Sequence, residues 1–256
     1  MADRLSQIVA SVRSRLLAAQ QAVPLAQIKD RAADWPQPRP FIDALAGAQT
    51  ALAVIAEAKR RSPSRGKLTD CYDPAERAGT YQDAGAACLS VLTDEEFFGG
   101  SPADLVAARN ACNLPVLRKD FIVDAYQVYE TRALGADCML LIAEALPAAE
   151  LAELAALGME LGLAVLVEIH AADRLEAALA CKTGLIGINN RDLRTFAVDL
   201  RTTVDLAPQL AGRGCTIVAE SGIGSGADAA QVKQAGADAV LVGEAFMRSR
   251  DPKALL

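Results

Sequence analysis

DAGAACLSVL at residues 83–92 returns as ALGADCMLLI at 133–142, ELGLAVLVEI at 160–169, KTGLIGI at 182–188 and QAGADAVLV at 234–242. Each copy runs from a helical stretch through a glycine into a short apolar run. Glycine just past a helix is the expected stop, because it takes the left-handed conformation without a Cβ clash. The apolar runs are continuous rather than alternating. That pattern marks strands covered on both faces, as in parallel sheets with helices between the strands. Further runs at 52–56, 115–117 and 215–219 bring the strand count to about eight, the number that closes a barrel. The expected fold is α/β, a single (β/α)8 TIM barrel. An open doubly wound sheet competes with it, but the chain lacks the G-x-G-x-x-G turn that should follow its first strand.

Ahead of the repeats, Leu5, Ile8, Val9, Val12 and Leu16 recur at helical spacing, which predicts an amphipathic helix outside the repeating unit. Pro36, Pro38 and Pro40 then impose a stiff loop before the first strand. Residues 1–50 are expected to form a helical extension packed on the barrel of residues 51–256, as one domain. The extension is a candidate lid for the barrel mouth.

Composition narrows the function. Lysine and arginine number 26 against 32 acids, for a net charge of -6 without a basic stripe, so nucleic acid is not an expected partner. No uncharged run reaches the roughly 18 residues that a membrane helix needs. The N-terminus carries Asp3, Arg4, Arg13 and Arg15 rather than an apolar signal core, and a cytoplasmic protein is expected. The six cysteines lack C-x-x-C spacing and His170 is the sole histidine, so no metal site is expected. Cys88, Cys138 and Cys215 read as small buried hydrophobes.

Five strand-like runs end on residues that move protons or hold anions. Residues 54–56 lead to Glu57 and Lys59, 115–117 to Lys119, 164–167 to Glu168, 186–188 to Asn189, and 217–219 to Glu220. Burying an unpaired charge is costly, so such tips belong at a solvent or substrate boundary. In a (β/α)8 barrel the C-terminal strand ends form the active site, so these tips should converge. Alternation along a strand puts Glu57 and Lys59 on one side. Two lysines among glutamates suit an anionic substrate, either as proton donors or, for one of them, as a Schiff-base amine. The glycine-rich turn Glu220-Ser221-Gly222-Ile223-Gly224-Ser225-Gly226 after the seventh run, and Gly243-Glu244 after the eighth, fall where barrels often bind phosphate. Ser62 and Arg65, after the first run, add a hydroxyl and a cation.

Taken together, RPF (39–41), IAEAKRRSPSRG (55–66), SVLTDEEFFGGS (90–101), PVLRKDFIVDAYQ (115–127), GADCMLLIA (135–143), LVEIH (166–170), GINNRDL (187–193), VAESGI (218–223) and LVGEAFMR (241–248) resemble the indole-3-glycerol-phosphate synthase family. The resemblance implies a ring closure of 1-(2-carboxyphenylamino)-1-deoxyribulose 5-phosphate that releases carbon dioxide and water without a cofactor. It implies that Lys119 is the acid that protonates the sugar ketone oxygen and Glu168 the base. Glu57 assists proton transfer, and Lys59 holds substrate anions or serves as a further acid. Asn189, Arg191, Glu220 and Ser221 position the sugar and the catalytic groups. Ser62, Gly222, Gly243 and the backbone of Glu244 cradle the phosphate, Phe98 and Phe121 flank the aromatic ring, and Leu193 lies beside the substrate.

Three positions stand apart. Ala58 replaces a bulkier family residue and should face the helices. The Glu244 carboxylate would repel phosphate, so only its N–H is assigned. His170 is expected to have a structural strand-end role. The phosphorylated substrate is the one expected partner, with the chain a monomer or weak homo-oligomer. Two rival readings are a related sugar-phosphate barrel, such as phosphoribosylanthranilate isomerase, and a barrel that binds the metabolite without turnover. The first lacks its usual cysteine and aspartate here. The second has no need for an acid–base set.

Overall fold

The computed structural model describes residues 4–62, 66, 67, 69, 72–192 and 195–248. Strand β1 (Ala53–Ala58) is followed by a short antiparallel pair, β2 (Arg61–Ser62) and β3 (Gly66–Lys67). Seven further strands follow: β4 (Cys88–Leu92), β5 (Val116–Lys119), β6 (Cys138–Ile142), β7 (Ala164–Ile169), β8 (Leu185–Asn189), β9 (Thr216–Glu220) and β10 (Ala239–Val242). With β1 they form a closed parallel barrel in the order β1-β10-β9-β8-β7-β6-β5-β4, with β4 returning to β1. The expected (β/α)8 barrel is therefore present, and its eight strands are those read from the apolar runs. Residues 53–58 are all buried, as are 88–92, 138–142, 185–189 and 239–242, which is why they carry no polar alternation.

Three helices precede the barrel, α1 (Arg4–Ala22), α2 (Leu25–Asp34) and α3 (Phe41–Ala46). The others are α4 (Pro74–Ala84), α5 (Glu95–Phe98), α6 (Pro102–Ala111), α7 (Ala125–Ala133), α8 (Ala148–Glu160), α9 (Leu175–Ala180), α10 (Arg201–Leu210), α11 (Gly226–Ala235) and α12 (Glu244–Arg248). Their starts are written in the sequence. The side chains of Asp73, Ser101, Asp124 and Ser225 accept N–H bonds at the first turns of α4, α6, α7 and α11. The repeated glycine ends α4 at Gly85 (φ 102°) and α11 at Gly236 (φ 111°), both left-handed.

The aspartate of the recurring Gly-Ala-Asp has a structural reason too. Asp137 Oδ2 accepts the Val116 N–H at 2.9 Å, and Oδ1 accepts the Arg39 N–H at 2.7 Å and the Arg109 guanidinium at 3.1 Å. Asp238 Oδ2 likewise accepts the Ile217 N–H at 2.8 Å. Each aspartate staples the start of one strand to the start of its neighbour. These bonds lie at the N-terminal face of the barrel, the end that serves stability.

The segment before β1 holds more helix than the proline pattern suggested. Helix α2 precedes the Pro36–Pro40 stretch and α3 begins directly after it, so the stiff loop spans only residues 35–40. Tyr126 on α7 donates its hydroxyl to Val23 O at 3.0 Å, and Arg132 donates to Trp35 O at 2.8 Å. The Trp35 ring lies against Gly135, where a Cβ would come within 2.8 Å of it. Helix α1 buries Ile8 and Val12, each contributing roughly 1.5–3 kcal/mol. It also reaches the barrel mouth. Arg15 pairs with Asp94 at 2.6 Å, Ser11 hydrogen-bonds Glu96, and Arg4 lies 5.4 Å from the Phe196 ring. Asp94 and Glu96 follow β4 and Phe196 follows β8, so α1 spans the C-terminal rim.

Candidate active site

The charged tips converge because strand register forces them to. Asn189 at the end of β8 pairs with Glu220 at the end of β9, and Glu168 near the end of β7 pairs with Ile142 on one side and Gly187 on the other. Lys119, ending β5, reaches across the barrel. Its Nζ donates to Glu168 Oε2 at 2.6 Å and to Glu220 Oε2 at 2.9 Å. Lys59, just past β1, pairs with Glu57 Oε1 at 2.7 Å, as alternation along the strand predicted.

Two glycines make these approaches possible. A Cβ at Gly187 would sit 2.2 Å from Glu220 Oε1, and one at Gly243 would sit 2.5 Å from Glu57 Oε1 and 3.1 Å from Lys59 Nζ. Gly243, expected only as a phosphate cradle, thus also gives the Glu57–Lys59 pair its room.

One ammonium between two buried carboxylates is an unequal arrangement. Burial works against the Lys119 charge, but Glu168, Glu220 and Glu57 outweigh it and hold the amine protonated, above its ordinary range. Burial pushes both carboxylates up. Lys119 and His170 reverse that for Glu168, which ends below the usual carboxylate range, whereas Glu220 ends above it because Glu168 adds repulsion. Glu220 Oε1 is buried with no hydrogen-bond partner.

Around this core lies a cavity of about 540 Å³ whose apolar lining includes Leu140, Ile142 and Leu241. Glu57, Lys59, Lys119, Glu168, Asn189, Glu220 and Ser221 line it, together with Phe98, Phe121, Arg191, Gly222, Gly243 and Glu244. These are all the expected site residues whose side chains are described. The side chain of Ser62 and all of Arg65 and Leu193 lie outside the described residues. The Phe98 and Phe121 rings are 6.2 Å apart at 35°, and Asp120 fixes the turn beneath them by accepting the Phe121 N–H at 2.8 Å.

The phosphate end has a shape that motif reading did not supply. Ser221 and Gly222 are both left-handed (φ 64° and 82°), and a Cβ at Gly222 would meet Val198 at 2.6 Å. Asn190 braces this turn. Its Nδ2 donates to Glu220 O at 3.0 Å and Ser221 O at 3.1 Å, while its Oδ1 accepts from the N–H and hydroxyl of Thr203. Asn190 was overlooked in the sequence, and its only signal was the Asn-Asn doublet. Farther along the turn, Gly224 N–H is occupied by Asp228 Oδ2 at 3.1 Å. The Glu244 side chain turns to Arg191, Nη2 to Oε1 at 3.3 Å. That contact sets a cation against the carboxylate expected to disfavour phosphate.

His170 directly follows β7, at the strand end where it was expected. It sits between Glu144 and Glu168, with its Nδ1 3.0 Å from Glu144 Oε2 and its Nε2 3.3 Å from Glu168 Oε1.

Fold and site together define a (β/α)8-barrel enzyme equipped for proton transfer on an anionic substrate. Residues 5–256 match the indole-3-glycerol phosphate synthase family, and the chain belongs to that family. Among curated relatives named indole-3-glycerol phosphate synthase, one from Azoarcus sp. is 52% identical over 99% of this chain and 97% of its own length. Another, from Laribacter hongkongensis, is 50% identical over 100% and 98%. The chain is accordingly a decarboxylating lyase of tryptophan biosynthesis. The structure of tryptophan synthase subunit alpha from Legionella pneumophila has a TM-score of 0.60 at 16% identity, covering 84% of this chain and 93% of that one. That likeness concerns the fold alone.

Proposed function

We propose that ring closure of 1-(2-carboxyphenylamino)-1-deoxyribulose 5-phosphate runs in this cavity with Lys119 as acid and Glu168 as base. The observation that carries the assignment is the Lys119 ammonium held at 2.6 and 2.9 Å between Glu168 and Glu220. The aromatic carbon bearing the carboxylate attacks the sugar ketone, and negative charge develops on the ketone oxygen. A buried ammonium that keeps its proton until that oxygen becomes basic, as the bond forms, is suited to protonating it. Carbon dioxide then leaves, and its bonding electrons neutralise the cationic ring. The ring itself is the electron sink.

Loss of water follows, with Glu168 taking the ring proton and the Lys59 ammonium donating one to the departing hydroxyl. Glu57 supports this transfer, and Lys59, paired with it at 2.7 Å, holds the substrate anions. The sugar is positioned by Asn189, Arg191, Glu220 and Ser221. The phosphate is cradled by Gly222, Gly243 and the Glu244 N–H, with Arg191 offsetting the Glu244 carboxylate. The aromatic ring lies against Phe98 and Phe121.

We also place the enzyme in the cytoplasm, where a phosphorylated, membrane-impermeant substrate is retained. Among the described residues no helix is long and apolar enough to cross a membrane. The test is to supply the carboxyphenylamino-deoxyribulose phosphate and follow indole absorbance and fluorescence. Product is expected, and folded protein that forms none overturns the proposal.

A further inference from the structure

The two carboxylates that share Lys119 are nearly equivalent by distance, at 2.6 and 2.9 Å, yet only one of them can serve as base. Both are buried, at 1% exposure each. What distinguishes them lies on the side away from the lysine. The other oxygen of Glu220, Oε1, has no hydrogen-bond partner and packs against the Cα of Gly187. The other oxygen of Glu168, Oε1, faces the His170 imidazole, whose Nε2 is 3.3 Å away.

That imidazole is gripped from behind. Glu144, in the turn after β6, accepts the His170 backbone N–H on Oε1 at 2.8 Å and lies 3.0 Å from ring Nδ1 through Oε2. A carboxylate holding both backbone and ring fixes the plane of the imidazole and favours its doubly protonated form. The ring does not line the cavity, and its side chain is only 11% exposed. Nε2 is near enough to Glu168 for charge attraction but is not aligned as a hydrogen bond.

We propose that Glu144 and His170 are positioning residues that decide which of the two carboxylates around Lys119 is the base: the imidazolium holds Glu168 ionised and fixed, leaving Glu220 as the partner that keeps a proton. This rests on the assignment of Glu168 as base made above. The carboxylates facing the imidazole are Glu144 from the β6 turn, Glu168 at the tip of its own strand and, across the barrel, Glu220. Lys119 bears on Glu168 from the opposite side. Burial opposes the imidazolium, yet these carboxylates outweigh burial and lift His170 above its ordinary value. A base ionised by two cations stays competent near neutrality. With one cation it competes with Glu220 for a proton, and a protonated carboxyl accepts none.

His170 is the only histidine in the chain, so in tag-free protein its ring resonances report the titration without assignment. Proton NMR of the unliganded enzyme should show the ring titrating above the ordinary value of about 6.5, and lower in Glu144→Gln than in wild type. A wild-type ring titrating at or below about 6.5 overturns the proposal. In His170→Asn the acid limb of the kcat profile should move up by about one pH unit. That shift is about a tenfold loss below the limb, recovered at higher pH, with KM changed less than about twofold. A folded variant with an unmoved acid limb overturns the proposal as well. Should His170→Asn fail to fold, Glu144→Gln is read by the same two measurements. The NMR arm needs no turnover, so it stays separate from the synthase assay, whose failure would instead remove the assignment of Glu168.

Discussion

The two ends of the barrel handle buried charge in opposite ways. At the N-terminal face, Asp137 spends both oxygens on two backbone N–H groups and the Arg109 guanidinium, and Asp238 repeats the backbone bond between β10 and β9. At the C-terminal face, Glu168 and Glu220 share the Lys119 ammonium, and Glu220 keeps one oxygen with no hydrogen bond. Both regions bury acids against bases. The lower one occupies both oxygens of its acid, Asp137, and gains rigidity. The upper one leaves them in competition, which costs stability and provides groups ready to exchange protons.

The comparison breaks if the upper charges prove structural. Lys119→Ala should lower kcat by about a thousandfold while a substrate analogue still binds, because a general acid contributes about 10²–10⁴. Turnover assay and calorimetric titration of the analogue check this. Unchanged turnover would show that another group donates the proton.

At the lower end the expected effect is on stability alone. Asp137→Ala strands two buried N–H groups and a guanidinium, a loss of about 3–5 kcal/mol. For a chain of this size that corresponds to a Tm drop of roughly 10 °C. Activity per folded molecule should stay near wild type, and thermal melts beside active-site titration would show any deviation.

Glu220→Gln gives the smallest shift and tests the sign of the strain above. Folding raises the Glu220 carboxyl above its ordinary 4.5, so its contribution to stability is present below that value and is lost as pH rises through the raised one. Removing the charge should therefore raise Tm by a few degrees at pH 9 and by less at pH 4, while turnover falls. Thermal melts across that range provide the check, and a larger gain at pH 4 would contradict the assignment.

Much of this was legible in the chain. Continuous apolar runs, five of them after glycine stops, located all eight barrel strands, and the charged strand tips located the cavity wall. Other features were not legible. Nothing local in residues 25–34 or 41–46 repeats with the barrel units, so α2 and α3 did not stand out as separate helices within the expected helical extension of residues 1–50. Asn190 looked like a neighbour of Asn189 rather than the brace of the Ser221 turn, because its partners Ser221 and Thr203 are 31 and 13 residues away. His170 read as a strand-end residue because its defining partner, Glu144, belongs to another turn.

By itself the sequence determined which segments are strands, where helices start and stop, and which charges stand at strand ends. These are local properties, set by the cost of burying unpaired polar groups and by the backbone preferences of glycine, serine and aspartate. Only the tertiary structure decided that Lys119 lies between Glu168 and Glu220, 49 and 101 residues farther along the chain, and that the His170 ring lies 3.3 Å from Glu168 Oε1. Proton affinity depends on distance and burial, and barrel closure sets both.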